Sequence, residues 1–257
     1  IKKVEEDITV IDITNLDEVL ISTEYITYGF DKNEKDGSIA LKPNDLGILP
    51  GLTEPDVLQS LQLLPGISSP SESASELHIR GGTPDQNLVL WDGIKMYHQG
   101  HFFGMISAFN PYITEKVNVY RSGTTARYGD RISGVVDINT TKEVPKKMDI
   151  GLGANLIQGD VFIKTPIVED KLGVVFSARR SFADIVNTIT FEKISNKVFQ
   201  NTKVEGDNQA DKDAFEELSN KFYFTDFNFK TIWQANEKNK FSFSTLAVTN
   251  KLDFSSR

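Results

Sequence analysis

From about residue 147 onward, the chain alternates between apolar and polar side chains. Apolar residues at Met148, Ile150, Leu152, Ala154 and Leu156 are separated by Asp, Gly or Asn. The pattern recurs at residues 160–165, 226–233 and 241–244, and residues 171–180 are also strand-like. Successive side chains of a strand point to opposite faces, so this period of two predicts about five strands with one apolar and one polar face. Aromatic residues dominate the apolar face at Phe227, Phe229, Trp233, Phe241 and Phe243.

The preceding region carries the signals of a small mixed domain. Thr53-Glu-Pro-Asp56 supplies an N-cap and a proline before an apolar stripe that Pro65-Gly66 ends, which predicts one short amphipathic helix. Asp92-Gly93 lies between two strand-like runs, the strongest short signal for a β-hairpin. We therefore expect an α+β domain. The strands expected in its four-stranded sheet are Leu77–Arg80, Leu88–Trp91, Val117–Tyr120 and Val135–Ile138.

Four motifs follow one another between residues 64 and 138. They are Leu64-Pro-Gly-Ile through Ile79-Arg-Gly-Gly and Trp91-Asp-Gly; Gly100-His-Phe-Phe-Gly through Asn110-Pro; Val117-Asn-Val-Tyr-Arg-Ser-Gly; and Ala126-Arg-Tyr-Gly through Val136-Asp-Ile. Together they resemble the plug domain of TonB-dependent outer-membrane receptors, in the form found in Bacteroidetes. Four motifs in the family's order are far more specific than one short pattern. The resemblance implies an α+β plug domain followed by the first strands of a transmembrane antiparallel β-barrel.

Connection lengths agree with a barrel whose first strand runs outward from the periplasm. Residues 168–171 and 235–239 then form short periplasmic turns, and the long polar stretch from about 193 to 220 lies outside. Plugged barrels of this family have about 22 strands, so we expect the chain to be a fragment of one. The alternative is a soluble antiparallel sandwich, which leaves the aromatic face unexplained. In a barrel, the polar face lines the lumen, where Asn228→Arg should be tolerated.

Composition and resemblance divide the chain into three segments. Residues 1–44 are an N-terminal linker or the end of a carboxypeptidase-like domain, 45–146 the plug domain, and 147–257 the first barrel strands. Within the first segment, a β-prone run resembles a TonB box, because an unpaired extended strand can add to the sheet edge of a periplasmic partner. The alternative is an ordinary edge strand. The candidate residues are Leu16, Asp17, Glu18, Val19, Leu20 and Ile21.

Charge and composition exclude several classes of function. A net charge of -8 at pH 7 argues against nucleic acid as a partner, since phosphate binding needs clustered Lys and Arg. The absence of cysteine excludes disulfides and thiol catalysis. No run of about 18 apolar residues predicts a membrane helix. The sequence also lacks a nucleophile elbow, a phosphate-binding loop and metalloprotease histidines, so we expect no enzyme, no cofactor and no metal site.

Two arginines are the charged residues that the resemblance singles out. In the family, arginines at the positions of Arg80 and Arg121 pair with glutamates on the inner barrel wall and hold the plug in place. Bidentate guanidinium–carboxylate pairs suit such a latch because their geometry is specific. The alternative is that both arginines are solvated at the surface.

Plug loops are expected to face the ligand. The residues predicted to do so are Ser71, Glu72, Tyr97, His98 and His101. The two histidines have the H-x-x-H spacing that could hold a metal ion on a helix. With no third ligand visible nearby, a structural or ligand-contact role is the stronger interpretation.

The function that the resemblance implies is TonB-dependent, energy-coupled import of a scarce nutrient such as a siderophore or glycan across the outer membrane. The implied partners are TonB, outer-membrane lipid and a surface lipoprotein. One alternative is a receptor-like structural subunit of an outer-membrane complex without transport. A second alternative is a soluble β-rich enzyme.

Overall fold

The computed structural model describes residues 29–253 apart from 34–35, 51, 53, 187 and 200–220. The first ten strands are β1 (Phe30–Lys32), β2 (Ile39–Leu41), β3 (Ile67–Ser68), β4 (His78–Ile79), β5 (Leu88–Trp91), β6 (Ile94–Lys95), β7 (Gly100–His101), β8 (Ile106–Ser107), β9 (Thr114–Tyr120) and β10 (Val135–Thr140). Six of them form one sheet in the order β1-β2-β9-β10-β5-β6, and β3-β4 and β7-β8 form two small sheets. β10 runs parallel to β5 and antiparallel to β9.

The hairpin predicted at Asp92-Gly93 is confirmed. Trp91 pairs with Ile94 across a turn of two residues, and both turn residues have positive φ, 48° for Asp92 and 86° for Gly93. Positive φ at both positions is the geometry of a type I′ turn, whose twist matches that of the flanking strands. Trp91 is buried behind this turn and stacks on Phe109 at a ring-centroid distance of 5.3 Å.

One strand predicted for the main sheet lies elsewhere. Within Leu77–Arg80, the strand residues His78–Ile79 pair with Ile67–Ser68 in a separate small sheet. The reason is local, because Arg80 at φ 51° and Gly81 at φ 81° turn the chain away after two strand residues. The other three predicted strands are present in the main sheet.

The main sheet begins earlier than the predicted plug segment. β1 and β2 come from the segment expected to be a linker, yet β2 pairs antiparallel with β9. Ala40 and Leu41 are buried there, and Leu41 belongs to the hydrophobic core. Burial of this apolar pair explains why the segment joins the sheet.

The short helix predicted after residue 56 is a 3₁₀ helix, Gln59–Leu63. Asp56 caps it by accepting hydrogen bonds from the backbone N–H groups of Leu58 and Gln59. Only a few residues separate this cap from Pro65, and such short runs favour 3₁₀ geometry. A second 3₁₀ helix spans Pro84–Gln86, and the α-helix α1 spans Pro43–Leu46.

The second large sheet has five antiparallel strands that pair in chain order. They are β11 (Asp149–Ala154), β12 (Gln158–Val168), β13 (Leu172–Ser181), β14 (Lys221–Gln234) and β15 (Lys240–Asp253). The connection between β13 and β14 carries the helix α2, Ile189–Phe199. Among the described residues, no helix is long and apolar enough to cross a membrane.

The two faces of this sheet follow the predicted alternation. On the outward face, Phe227, Trp233, Phe241 and Phe243 are exposed. On the inward face of β14, Asp226, Asn228 and Lys230 are buried, and Asp226 and Lys230 contact His101 and Asp92 of the plug. The expectation that Asn228→Arg would be tolerated assumed an open lumen. Asn228 is instead buried and its amide donates to Ser177, so we now expect this substitution to be destabilising.

A matched pair of substitutions tests the outward face. Tyr223 and Trp233 mark the two ends of β14, about 24–28 Å apart along the normal for a strand tilted by about 35–45°. Phe227 lies between them, so Phe227→Arg should destabilise the complete barrel by about 2–4 kcal/mol, and Tyr223→Arg by about 0–1 kcal/mol. The measurement is equilibrium denaturant unfolding in lipid vesicles. Equal costs at both positions would contradict this placement.

Candidate functional site

The contact between the plug and the five-stranded sheet is built around a buried arginine. Arg179 on β13 lies directly opposite Asp226 on β14, and both side chains are at most 2% exposed. Arg179 Nε and Nη2 donate to Asp226 Oδ2 over 2.8 and 2.5 Å. The same Nη2 donates to the carbonyl oxygen of Ser107 in the plug over 2.8 Å, and Nη1 lies 3.6 Å from Glu54 Oε1. We call Arg179, Asp226, Glu54 and His101 the arginine junction.

Glu54 brings a second carboxylate to Arg179 from the plug. Gln158 Nε2 donates to Glu54 Oε1 over 2.5 Å, which ties this plug residue to β12 as well. Burial raises the pKa of Glu54 to about 7, and the carboxylates of Asp56 and Asp160 act in the same direction, whereas Arg179 opposes the shift. At neutral pH, Glu54 is therefore close to the midpoint between its charged and neutral forms.

Asp56 connects the plug's 3₁₀ helix to the strand β8. Besides capping the helix, its Oδ2 accepts a hydrogen bond from the backbone N–H of Ser107 over 3.1 Å. Burial raises the pKa of Asp56, although its hydrogen bonds and Arg179 oppose that shift. Because Ser107 also accepts from Arg179, Asp56 holds in place the backbone on which the junction is built.

His101 was predicted to face the ligand on a plug loop, and the structure corrects this. The ring is fully buried, with Nδ1 2.8 Å from Asn250 Oδ1 and Nε2 2.7 Å from Asp226 Oδ1. One ring face stacks on Phe224 at 4.0 Å between centroids. The Asn250 contact at Nδ1 and the aromatic surface of Phe224 accompany its burial, whereas Nε2 and Asp226 Oδ1 are close without forming a hydrogen bond.

A second polar contact holds the tip of the plug hairpin. Lys230 Nζ on β14 lies 3.0 Å from Asp92 Oδ1 and donates to Thr140 Oγ1 over 2.8 Å. Asp92 Oδ2 accepts from the hydroxyls of Thr140, over 2.6 Å, and of Ser244 on β15, over 3.1 Å. We call this group the lysine anchor.

A third contact is aromatic. Phe102 of the plug is buried between Phe222 on β14 and Phe191 on α2, at centroid distances of 4.6 and 5.2 Å. Phe102 and Phe103 have φ of 48° and 55°, a left-handed conformation that is uncommon for bulky residues. The contacts of Phe102 supply the packing that such a conformation requires.

The two predicted latch arginines are not at this contact. Arg80 is exposed, and its backbone N–H donates to Gly66. Arg121 donates through Nη1 to the carbonyl oxygen of Pro65, within the plug. Neither arginine forms an ion pair in the part of the chain that the structure describes. Their pairing with barrel glutamates stays a prediction.

The other predicted ligand-facing residues lie at the surface. Ser71 and Glu72 are exposed, and Ser71 donates to Glu76. Tyr97 is exposed beside Lys95, and the exposed His98 has Nε2 3.3 Å from the side-chain nitrogen of Asn250. In the described ranges, no group of three or more His, Asp or Glu side chains could hold a metal ion. The TonB-box candidate at residues 16–21 lies outside the described residues.

Sequence reasoning missed the residues that join plug and sheet. Arg179, Asp226 and Lys230 lie on the polar faces of predicted strands, and Asp92 was recognised only as a turn residue. One signal was available: a full positive charge on the inward face of a strand needs a carboxylate partner when the plug covers it. The sequence does not show which plug residue supplies that partner.

Comparison with known proteins identifies the plug. Residues 51–136 match the family model described as TonB-dependent Receptor Plug Domain. This part of the chain is therefore a plug domain of the TonB-dependent receptor family. Receptors of this family are outer-membrane proteins of Gram-negative bacteria, which places the chain in that membrane. No curated protein matches the chain in sequence.

Solved structures show the same fold. The siderophore receptor PirA from Acinetobacter baumannii is 17% identical with a TM-score of 0.54, over 84% of this chain and 32% of that chain. A ferric enterobactin receptor (PfeA) mutant from Pseudomonas aeruginosa, in complex with enterobactin, is 15% identical with a TM-score of 0.52, over 84% and 33%. The copper transporter OprC is 13% identical with a TM-score of 0.55, over 90% and 33%. The chain thus spans about a third of these receptors and corresponds to a plug with N-terminal barrel strands.

A double-mutant cycle tests the arginine junction. Asp226→Leu or Arg179→Met alone leaves a buried charge without its main partner and should cost about 3–5 kcal/mol of unfolding free energy. The double variant should cost clearly less than the sum of the two. The control is Arg180→Met, whose pair with Asp184 is half-exposed and is worth about 0–1 kcal/mol. Additive costs from denaturant unfolding of the complete receptor would show that the pair is not coupled.

The raised pKa of Glu54 predicts how plug stability depends on pH. Because its folded pKa of about 7 exceeds the ordinary 4.5, the folded state binds more protons between these values, and stability should fall as pH rises from about 4.5 through about 7. Glu54→Gln should remove this loss and stabilise the plug at pH 8 by up to about 3 kcal/mol. The measurement is plug unfolding at pH 5 and pH 8, with the exposed Glu76→Gln as control. An unchanged pH dependence in Glu54→Gln would refute the assignment.

Proposed function

We propose that the complete protein imports a scarce nutrient across the outer membrane, that the plug gates the barrel, and that TonB supplies the energy. The observation that carries this proposal is the match of residues 51–136 to the plug family, together with the seating of that domain on the polar face of a strand sheet. A domain seated in this way blocks the lumen until it moves.

The polar contacts between the plug and the strands are suited to a domain that must move. Two of the contacts between plug and strands are polar and buried: the arginine junction and the lysine anchor. When polar contacts separate, water can hydrogen-bond the freed groups, whereas a separated apolar interface exposes surface that water disfavours. We infer that the plug moves within a lumen that becomes wet, without unfolding of the barrel strands.

The partner on the periplasmic side is TonB in this proposal. The candidate box, residues 16–21, precedes β1, the edge strand of the plug sheet, by fewer than ten residues. A pull on the box would reach β1 and β2 first, then the segment with Glu54 and Asp56. Outer-membrane lipid surrounds the strands, and a surface lipoprotein is a further proposed partner.

The proposed cargo enters from the opposite side. Ser71, Glu72, Tyr97 and His98 are the plug residues proposed to meet it, and all four are exposed. Neighbours of the same fold are named as siderophore receptors and a copper transporter. Chelated metals are therefore the first cargo class to test, followed by glycans.

Energy coupling is tested with one substitution in the candidate box. Val19→Pro removes a backbone N–H donor and fixes φ, so it should weaken capture by the periplasmic domain of TonB and lower uptake of the nutrient. Val4→Pro, outside the box, is the matched control. Unchanged capture would place the box elsewhere in the chain.

Deletion of TonB separates the proposed function from its alternative. Uptake should be lost in the deletion strain while the receptor still reaches the outer membrane. Uptake that persists without TonB would contradict energy coupling. A receptor that supports no uptake in either strain, yet holds an outer-membrane complex together, would be a structural subunit.

A further inference from the structure

The connection after β13 folds back onto the tip of the β11–β12 hairpin. Phe182 N–H donates to the carbonyl oxygen of Ile157 over 3.1 Å, and the Thr188 hydroxyl donates to that of Leu156 over 2.6 Å. Between them, the N–H groups of Ile185 and Val186 both donate to the carbonyl oxygen of Phe182. Residues 182–186 and 188–189 therefore lie at the hairpin tip instead of extending away from the strands.

The height of this tip follows from the length of β12. Gln158 and Val168 are ten residue steps apart. At about 3.4 Å per step and a tilt of about 35–45°, they are separated by about 24–28 Å along the membrane normal. The apolar band around such barrels is about 25 Å tall. When Val168 is at the inner edge of the band, the hairpin tip is at its outer edge.

Large apolar side chains are exposed at this level. Leu156 is 59% exposed, Ile185 71%, Val186 52% and Ile189 73%; we call these four residues the rim patch. Leu152, 84% exposed, lies on the same outward face of β11 four residues before Leu156. Leu156 thus extends the outward apolar face of β11, and the hydrogen bonds of Phe182 and Thr188 to the hairpin tip bring the other three residues close to it. A grouped set of exposed apolar residues in water is unfavourable and marks a surface that something covers.

A neighbouring cluster marks the same level on the strands that follow. Tyr223 on the outward face of β14 has the Arg180 guanidinium 5.2 Å and the Lys251 ammonium 5.9 Å from its ring centroid. Tyrosines are enriched where apolar band and headgroups meet, and long basic side chains reach from there into water. Arg180 lies two residues before the folded-back segment, so both features define one outer boundary.

We propose that the rim patch rests in the acyl chains at the edge of the outer leaflet, so that residues 182–186 and 188–189 belong to a membrane-seated segment rather than to a free extracellular loop. Lipid is the occupant because the patch adjoins the outward apolar face through Leu156 and lies at the calculated edge of the band. α2 begins within this patch at Ile189 and buries Phe191 against Phe102 of the plug. The seated segment therefore fixes the start of a helix that touches the plug.

Spin labelling of the complete receptor in lipid vesicles tests this proposal. The 257 residues contain no cysteine, so Val186→Cys introduces a single labelling site in this part of the protein. Cysteines elsewhere in the receptor would be replaced first. Collision of the label with oxygen, which concentrates in acyl chains, is compared with collision with a water-soluble nickel chelate. Leu152→Cys is the lipid-facing control, and Glu192→Cys, exposed on α2, is the water-facing control.

The label at Val186→Cys should show the high oxygen and low nickel accessibility of the Leu152→Cys control. Accessibility like that of Glu192→Cys would overturn the proposal, because the segment would then be in water. Low accessibility to both reagents would also overturn it and would indicate a covering protein. Ile189→Cys provides a second site if the first variant does not fold. The readout needs neither TonB nor cargo, so it is independent of the proposed transport function.

Discussion

The Arg179 guanidinium is removed from water and held by Asp226 beside it, by the Ser107 carbonyl and by the nearby Glu54 carboxylate. A buried charge is tolerated only when its donors find acceptors, and here two of those acceptors belong to the plug. The inward face of the strands is therefore complete only with the plug in position. This requirement fixes which part of the plug faces β13 and β14.

The three plug–strand contacts described above differ in their chemistry. Proton uptake at Glu54 changes the charge balance of the arginine junction. The lysine anchor pairs one cation with one carboxylate at a hairpin turn whose geometry is set locally. Phe102 forms the aromatic contact and adds no charge. Changes in pH should thus act on the first contact and leave the other two in place.

Much of this architecture could be predicted because its causes are local. The period of two predicted the strands and their faces. Asp92-Gly93 predicted a hairpin because this pair readily adopts the positive φ angles that the structure shows. The failures arose where distant residues decide. His101 is buried by Asn250, 149 positions later, and Glu54 meets Gln158 across 104 positions. No local pattern encodes such pairings. The separate pairing of His78–Ile79 depended on the positive φ of Arg80. An arginine in the sequence does not predict that backbone conformation.

The same alternation has opposite consequences on the two faces of the strand sheet. On the outward face, it presents aromatic and aliphatic side chains. These need an apolar environment but no specific partner at a specific distance, so acyl chains of any composition meet that need. Inward, it presents groups such as Asp226, Asn228 and Lys230, each of which needs a specific partner at a specific distance. The outward face could therefore be predicted from the alternation alone. The inward face carries the specificity of the fold, because only a plug with carboxylates and carbonyls at matching positions can cover it.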